Sequence, residues 1–219
     1  MRVSLFTKFA KPTVDKAISY LKSNSSSFNL YQGEPGDPFP AESFRHDSDV
    51  VISYLSPWII PKLVLDKTKF WNINFHPGSL DYPGIGCFNF AIYDQAKTYG
   101  VTAHLMDEKV DRGKIVGIKE FPLEKEDSVL TLAEKSYETM IVLFFEVMDF
   151  IFKNKKLPRL EKSWQREPYR RKDLENLCLL DKNMAESEVK RRVKATTYPN
   201  MPGAYFDFYG FKFEYSPNR

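Results

Sequence analysis

The spacing of apolar residues divides the chain into alternating strand-like and helix-like stretches. Residues 2–7 are a short, largely apolar run that predicts a first strand. Pro12 stands where a helix can start, and Val14, Ala17, Ile18 and Leu21 then recur at helical spacing. Residues 23–40 are rich in Ser, Gly and Pro and predict a long irregular stretch. Residues 49–54 form a continuous apolar run of the kind a buried parallel strand carries, and residues 70–75 predict another. Pro57 and Pro61 punctuate the connection between them, with a short helix at 63–65. A glycine-containing turn leads into a helix at 88–96. Residues 101–106 and 114–121 predict two further strands, joined through a tight turn at Asp111-Arg112-Gly113 where glycine can take a positive φ. Ser128 opens a long amphipathic helix that runs to about residue 152, its period marked by Leu132, Ser136, Thr139, Val142, Leu143 and Phe150. Residues 205–215 alternate around a Tyr-Gly turn and predict a β-hairpin.

Strands alternating with helices as far as residue 152 predict an α/β fold, a doubly wound and mostly parallel sheet with a small C-terminal hairpin appended. The expected organisation is a core over residues 1–155 and an extension over 156–219 that holds a nucleotide and forms a dimer face.

Composition narrows the class without naming a function. A chain of 219 residues with 42% hydrophobic and 15% aromatic residues can bury about 70% of its unfolded surface, so disorder is excluded. The longest uninterrupted apolar run is the six residues from Met140 to Phe145, too short for a membrane span, and the N-terminus lacks the pattern of a signal peptide. Two cysteines, Cys87 and Cys178, are read as reduced thiols of a cytoplasmic protein, and with three histidines no metal centre is expected. The net charge of +3 hides an asymmetry. Residues 153–173 carry nine basic and three acidic residues, a net +6 that leaves the rest at −3. A second basic group follows at Lys190, Arg191, Arg192 and Lys194. Such runs are most often solvated helix faces; the functional alternative is an anion site for a pyrophosphate, a nucleotide, a polyglutamate tail or RNA.

The stretch from Trp71 to Leu80 carries the first candidate chemistry. Asn74 and His76 lie two apart on a strand, so they share a face, and Pro77-Gly78 ends the strand. A polar pair at the carboxyl end of a parallel strand lies where open α/β sheets bind ligands. Asn-x-His is a weak pattern, and on spacing alone a satisfied histidine capping the strand end, with Asn serving the turn, is the better reading. Asp111, just before the Arg-Gly turn, can reach the same sheet edge, whereas His104 reads as a structural strand residue. Asn, His and Asp together suit acyl transfer to an amine: an amide and an imidazole can donate to a developing oxyanion, and a carboxylate can orient the imidazole and take a proton.

The ordered set Asn74-x-His76-Pro77-Gly78-Ser79-Leu80, Tyr82-Pro83-Gly84, Gly100-Val101-Thr102-x-His104 and Asp111-x-Gly113-x-Ile115 resembles the N10-formyltetrahydrofolate-dependent formyltransferase family. The resemblance implies a Rossmann-like formyltransferase fold and a catalytic trio of Asn74, His76 and Asp111. It implies that Leu55, Pro57, Trp58, Ile59, Asp107 and Val110 hold the pterin of N10-formyltetrahydrofolate. The loop Lys8-Phe9-Ala10-Lys11-Pro12 has no glycine, which disfavours the ribonucleotide branch, and too few residues follow the long helix for the extra barrel of the tRNA branch. Residues 164–174 and 195–206 look like the sugar branch. That implies a nucleotide-linked aminosugar acceptor, as in O-antigen synthesis, usually dTDP-4-amino-4,6-dideoxyglucose, with Gly84, Ile85, Phe88, Arg166, Tyr169, Tyr198 and Asn200 as its contacts. It also implies a homodimer and no membrane or nucleic-acid partner. Two departures stand out: Pro83-Gly84 replaces the family's frequent Arg-Gly, and residues 23–40 are short and irregular. The alternatives are an RNA-linked or peptide amine as acceptor, or a silent folate- or nucleotide-binding module.

Overall fold

A computed structural model describes residues 1–9 and 11–216. Ala10 of the glycine-free loop and the last three residues of the expected extension lie outside the described residues.

Six strands form the main sheet: β1 (Arg2–Lys8), β2 (Ser27–Gly33), β3 (Val50–Tyr54), β4 (Trp71–His76), β5 (Thr98–Leu105) and β6 (Ile115–Pro122). Their order is β2-β1-β3-β4-β5-β6. β1 pairs parallel with β2 and β3, and β3 pairs parallel with β4. β5 runs antiparallel to both β4 and β6. The short β5–β6 connection contains no crossover helix, and a connection of that length can join only antiparallel neighbours.

Alternate side chains of a strand point to opposite faces. Val3, Leu5, Val50, Ile52, Tyr54, Ile73, Phe75, Val101 and Ala103 form one core, covered by α1 (Pro12–Asn24) and α4 (Val129–Asn154). Phe6 and Val51 point the other way, into a cluster with Tyr31, Ile60, Val64 and Leu65. That side carries α2 (Lys62–Leu65) and the 3-10 turn Ala41–Arg45. The polar residues Ser53, Asn74, His76 and His104 share this second side, where the candidate site opens.

α4 begins where the sequence places it. Ser128 Oγ accepts from the Thr131 N–H at 3.2 Å, and Thr131 Oγ1 accepts from the Ser128 N–H at 2.9 Å, a reciprocal cap of the helix start. Its buried stripe runs from Leu132 through Ser136, Met140, Leu143 and Phe144 to Ile151. Among the described residues no helix is long and apolar enough to cross a membrane.

Four elements depart from the expectation. Residues 23–40 are not irregular throughout: they contain β2, which pairs along its length with β1 at the sheet edge. An edge strand with one covered side shows only partial burial, so its apolar pattern is weak beside the local Ser, Gly and Pro. The extension also holds two helices, α5 (Arg171–Cys178) and α6 (Glu186–Thr196), around the expected hairpin of β8 (Tyr205–Phe208) and β9 (Phe211–Glu214). A two-residue strand, β7 (Leu179–Leu180), pairs parallel with β8 and makes that hairpin three-stranded. α6 buries little beyond Ala195 and Thr196, so helical periodicity is absent from its sequence. His46 meets the Tyr31 hydroxyl through Nδ1 at 2.5 Å and ties the 3-10 turn to β2.

Candidate active site

β4 carries Asn74 and His76 on one face, and β5 sets His104 directly beside Asn74 and Thr102 beside His76. Asp111 lies in the β5–β6 connection with a left-handed φ of 47°. The connection folds tightly at Gly113, where an added Cβ would stand 1.7 Å from the Leu105 carbonyl oxygen, so only glycine permits this return. The turn brings the Asp111 carboxylate back onto the polar face of the sheet.

That carboxylate is the hub of the site. Its Oδ1 lies 3.1 Å from His104 Nε2 and accepts from Asn74 Nδ2 at 3.3 Å. Its Oδ2 accepts the Gly84 backbone N–H at 2.9 Å and lies 3.3 Å from His76 Nδ1. Asp111 is only 4% exposed. Burial, the largest single influence, pushes its carboxyl upward. The charge of His76, the hydrogen bond and charge of His104 and the Gly84 N–H together outweigh burial and hold it well below the ordinary carboxylate range. The outer nitrogens of both imidazoles meet carbonyls: His76 Nε2 donates to Tyr82 O at 3.1 Å and His104 Nδ1 to Leu105 O at 2.8 Å. A carbonyl oxygen only accepts, so these nitrogens carry hydrogen. Asn74 Nδ2 also lies 3.0 Å from His104 Nε2.

The structure brings together Asn74, His76 and Asp111. It adds His104, which had been read as a plain strand residue. The signal that finds His104 is its cross-strand register with Asn74, and that register is not written in either strand alone. Trp164 is a second addition: its indole stands near-perpendicular to His76 and His104, with ring centroids 5.9 and 5.2 Å away.

A cavity of about 280 Å³ opens beside this group, lined by Asn74, His76, His104 and Asp111. Leu55, Pro57, Trp58, Ile59, Asp107 and Val110 all line it too. Trp58 is fixed by an indole N–H bond to Asp37 O at 2.9 Å, while Ile59, 76% exposed, and Val110, 49% exposed, stand at the rim. Apolar walls with a carboxylate at Asp107 suit a flat heteroaromatic ring that carries N–H donors.

The expected acceptor contacts lie outside this cavity. Gly84 bridges Tyr169, where a Cβ would fall 2.3 Å from the Tyr169 carbonyl oxygen, and Ile85 N–H donates to that same oxygen at 3.0 Å. The Tyr169 ring stacks on Phe90 at 3.5 Å, and the Arg166 guanidinium covers it at 3.5 Å. Phe88 packs between Tyr99 and Tyr137, and Tyr198 packs against the same cluster. Asn200 sits in an exposed turn at φ 59°. Arg191 and Arg192, part of the second basic group, are both held by Glu188, whose carboxyl is pulled down to about 2, chiefly by its hydrogen bond from Arg192. Burial pushes the Cys87 thiol up to about 12, which leaves it without nucleophilic character at neutral pH. Among the described residues no group of three or more His, Cys, Asp or Glu is arranged to hold a metal ion.

Comparison with known proteins bears on this geometry. The chain is 27% identical over 159 residues to the bifunctional polymyxin resistance protein ArnA of Wigglesworthia glossinidia brevipalpis, covering 72% of this chain and 24% of that protein. It spans about half the length of most of the methionyl-tRNA formyltransferases that it also matches. Among solved structures, a 4-N formyltransferase from Francisella tularensis superposes with a TM-score of 0.77 at 20% identity, over 97% of this chain and 96% of that one. An N-formyltransferase from Helicobacter canadensis, in complex with folinic acid and dTDP-3-aminofucose, superposes with a TM-score of 0.72 at 15% identity, over 97% and 86%. Both likenesses are likenesses of fold. Residues 41–148, which include Asn74, His76, His104 and Asp111, match the family model for formyl transferases.

Proposed function

We propose that this protein is an N-formyltransferase that moves a formyl group from N10-formyltetrahydrofolate to the primary amine of a dTDP-linked deoxy-aminosugar, with dTDP-4-amino-4,6-dideoxyglucose the first acceptor to test. The observation that carries this reading is one buried carboxylate, Asp111, holding Asn74, His76 and His104 against the wall of a cavity with apolar flanks. The family match supports formyl transfer. The ligands named for the Helicobacter canadensis structure support a nucleotide-linked aminosugar as acceptor. The product would enter the synthesis of O-antigen sugars, and dependence on reduced folate fits a cytoplasmic enzyme.

In this reading the neutral sugar amine attacks the formyl carbon. A C–N bond forms to the sugar, and the bond from the formyl carbon to the folate nitrogen breaks. Asn74 and His76 donate to the oxygen as its negative charge develops, each exchanging one of the contacts described above for the substrate. Asp111 keeps the His76 ring oriented and takes up the amine's proton, which passes on to the departing nitrogen. Leu55, Pro57, Trp58, Ile59, Asp107 and Val110 hold the pterin. Gly84, Ile85, Phe88, Arg166, Tyr169, Tyr198 and Asn200 are the proposed acceptor contacts. The hairpin of the extension, where Tyr209 is 86% exposed and Phe211 and Phe213 are also exposed, is the proposed homodimer face.

The test is mass spectrometry of a panel of dTDP- and UDP-aminosugars incubated with the protein and formyl-folate. A product that gains one formyl group is expected; none across the panel would overturn the reading. A second acceptor, an RNA-linked amine, is favoured by one observation: Lys114, Lys155, Lys156 and Arg159 line a shallow cavity of about 290 Å³ with Trp71. Retention of tRNA in a gel shift at moderate salt would favour it.

A further inference from the structure

The strap from Ser163 to Arg170 runs back over the site, and one of its residues touches more of the catalytic group than any acceptor contact does. Gln165 N–H donates to Leu80 O at 3.0 Å and Tyr169 N–H to Pro83 O at 2.9 Å, so both ends of the strap are fastened to the loop that supplies Tyr82 O and the Gly84 N–H. Trp164 immediately precedes the first fastening. Its Nε1–H donates to the Gly113 carbonyl at 3.1 Å, at the end of the turn that returns Asp111 to the sheet. Its ring lies at 74° to His76 and 79° to His104. One indole therefore bounds both imidazoles and pins the turn carrying the carboxylate between them.

We propose that Trp164 is a positioning residue for the site: it fixes the rotamers of His76 and His104 and the height of the Asp111 turn, so that one carboxylate serves two imidazoles at once. The chemistry supports such a role. The contacts from Asp111 to the two rings are 3.1 and 3.3 Å, long for charge-assisted hydrogen bonds, and small rotations would break either. A ring packed edge-on to both leaves each imidazole little room to turn. The Gly113 carbonyl, held by the indole N–H, stops the turn from lifting away from the end of β5. The same strap carries Arg166 and Tyr169, so whatever seats against those two residues is mechanically joined to the reacting group.

The kinetic part of the test rests on the formyl-transfer reading; the spectroscopic part does not. In Trp164→Ala, kcat is expected to fall on the order of 10²-fold while KM for both substrates moves by less than about threefold, the split expected when reacting groups are misplaced but binding is kept. Trp164→Phe keeps a ring against the imidazoles but has no N–H for Gly113, and is expected to recover part of the loss. Nitrogen-15 NMR of the imidazoles, which needs no turnover, should show the titration midpoints and tautomers of His76 and His104 displaced in Trp164→Ala and partly restored in Trp164→Phe. A purely structural role would lower the melting temperature and leave those titrations unmoved. Wild-type titrations and wild-type kcat in the folded variants overturn the proposal. If Trp164→Ala does not fold, Trp164→Phe decides on the same two readouts. If the wild-type protein transfers no formyl group, the proposed reaction falls and the NMR result still decides the role of Trp164.

Discussion

The two faces of the central sheet are made from alternate residues of the same strands, and they are built on opposite principles. On β4, Ile73 and Phe75 enter the core beneath α4, whereas Asn74 and His76 enter the site. The first face is held by many weak contacts: Phe144 of α4 meets Tyr20, Tyr54, Phe75 and Phe145, with ring centroids 5.0 to 5.9 Å away. Dispersion contacts of this kind are individually small and interchangeable. On the second face the Phe6 cluster packs over β1 and β3, whereas over β4 and β5 the polar residues are held by one group. Four groups converge on Asp111, and a single substitution would disconnect them all. Stability is thus spread across one face, and chemistry is concentrated on the other.

The sharpest way to break this contrast is Asp111→Asn. An amide there keeps the volume but loses the charge that both imidazoles face, and turnover should fall on the order of 10⁴-fold, as when the carboxylate behind a catalytic imidazole is neutralised. Steady-state kinetics on the folded variant checks it; a loss under about tenfold would mean that the hub is structural. The same substitution predicts a pH effect on stability. The folded-state carboxyl lies below its ordinary value of 3.8, so its contribution is present at neutral pH and is lost as pH falls below that value. Urea midpoints of wild type and variant should therefore differ at pH 7 and converge as the pH drops from about 4 toward 2.

On the apolar face, Phe144→Ala should cost about 3–5 kcal/mol of stability, the range for deleting a fully buried phenylalanine, and leave kcat of the folded fraction unchanged. Its counterpart across the sheet is His76→Ala, expected to lower turnover about 10²–10³-fold, the usual loss for one oxyanion donor. Its urea midpoint should move less than that of Phe144→Ala. If His76→Ala unfolds the protein as readily as Phe144→Ala does, the two faces do not divide the work in this way.

The contrast also explains what the sequence discloses. The apolar face repeats at the period of each element, so β1, β3, β4 and α4 are legible wherever side chains are fully buried. That signal fades where burial is partial: β2 at the sheet edge and the charged helix α6 carry too few buried positions to mark their period. The polar face has no period to read. Asn74 and His76 are legible as a pair because two residues of one strand share a face. Asp111 is legible through the family resemblance. His104 and Trp164 join them only through register and a returning strap, both long-range consequences of folding.

The smallest effect separates polarity itself from connection. Ser136 is a fully buried polar residue on the apolar face, and its Oγ donates to Leu132 O at 2.7 Å within its own helix. That carbonyl already accepts the backbone N–H one turn on, so the hydroxyl is satisfied locally and nothing across the sheet depends on it. Ser136→Ala removes donor and side-chain desolvation together and should change stability by less than about 0.5 kcal/mol, with turnover unaffected. A loss of several kcal/mol, read from urea midpoints, would mean that a buried hydroxyl on the apolar face is wired across the sheet as Asp111 is. Were it so, the difference between the faces would lie in composition alone and not in how their polar groups are connected.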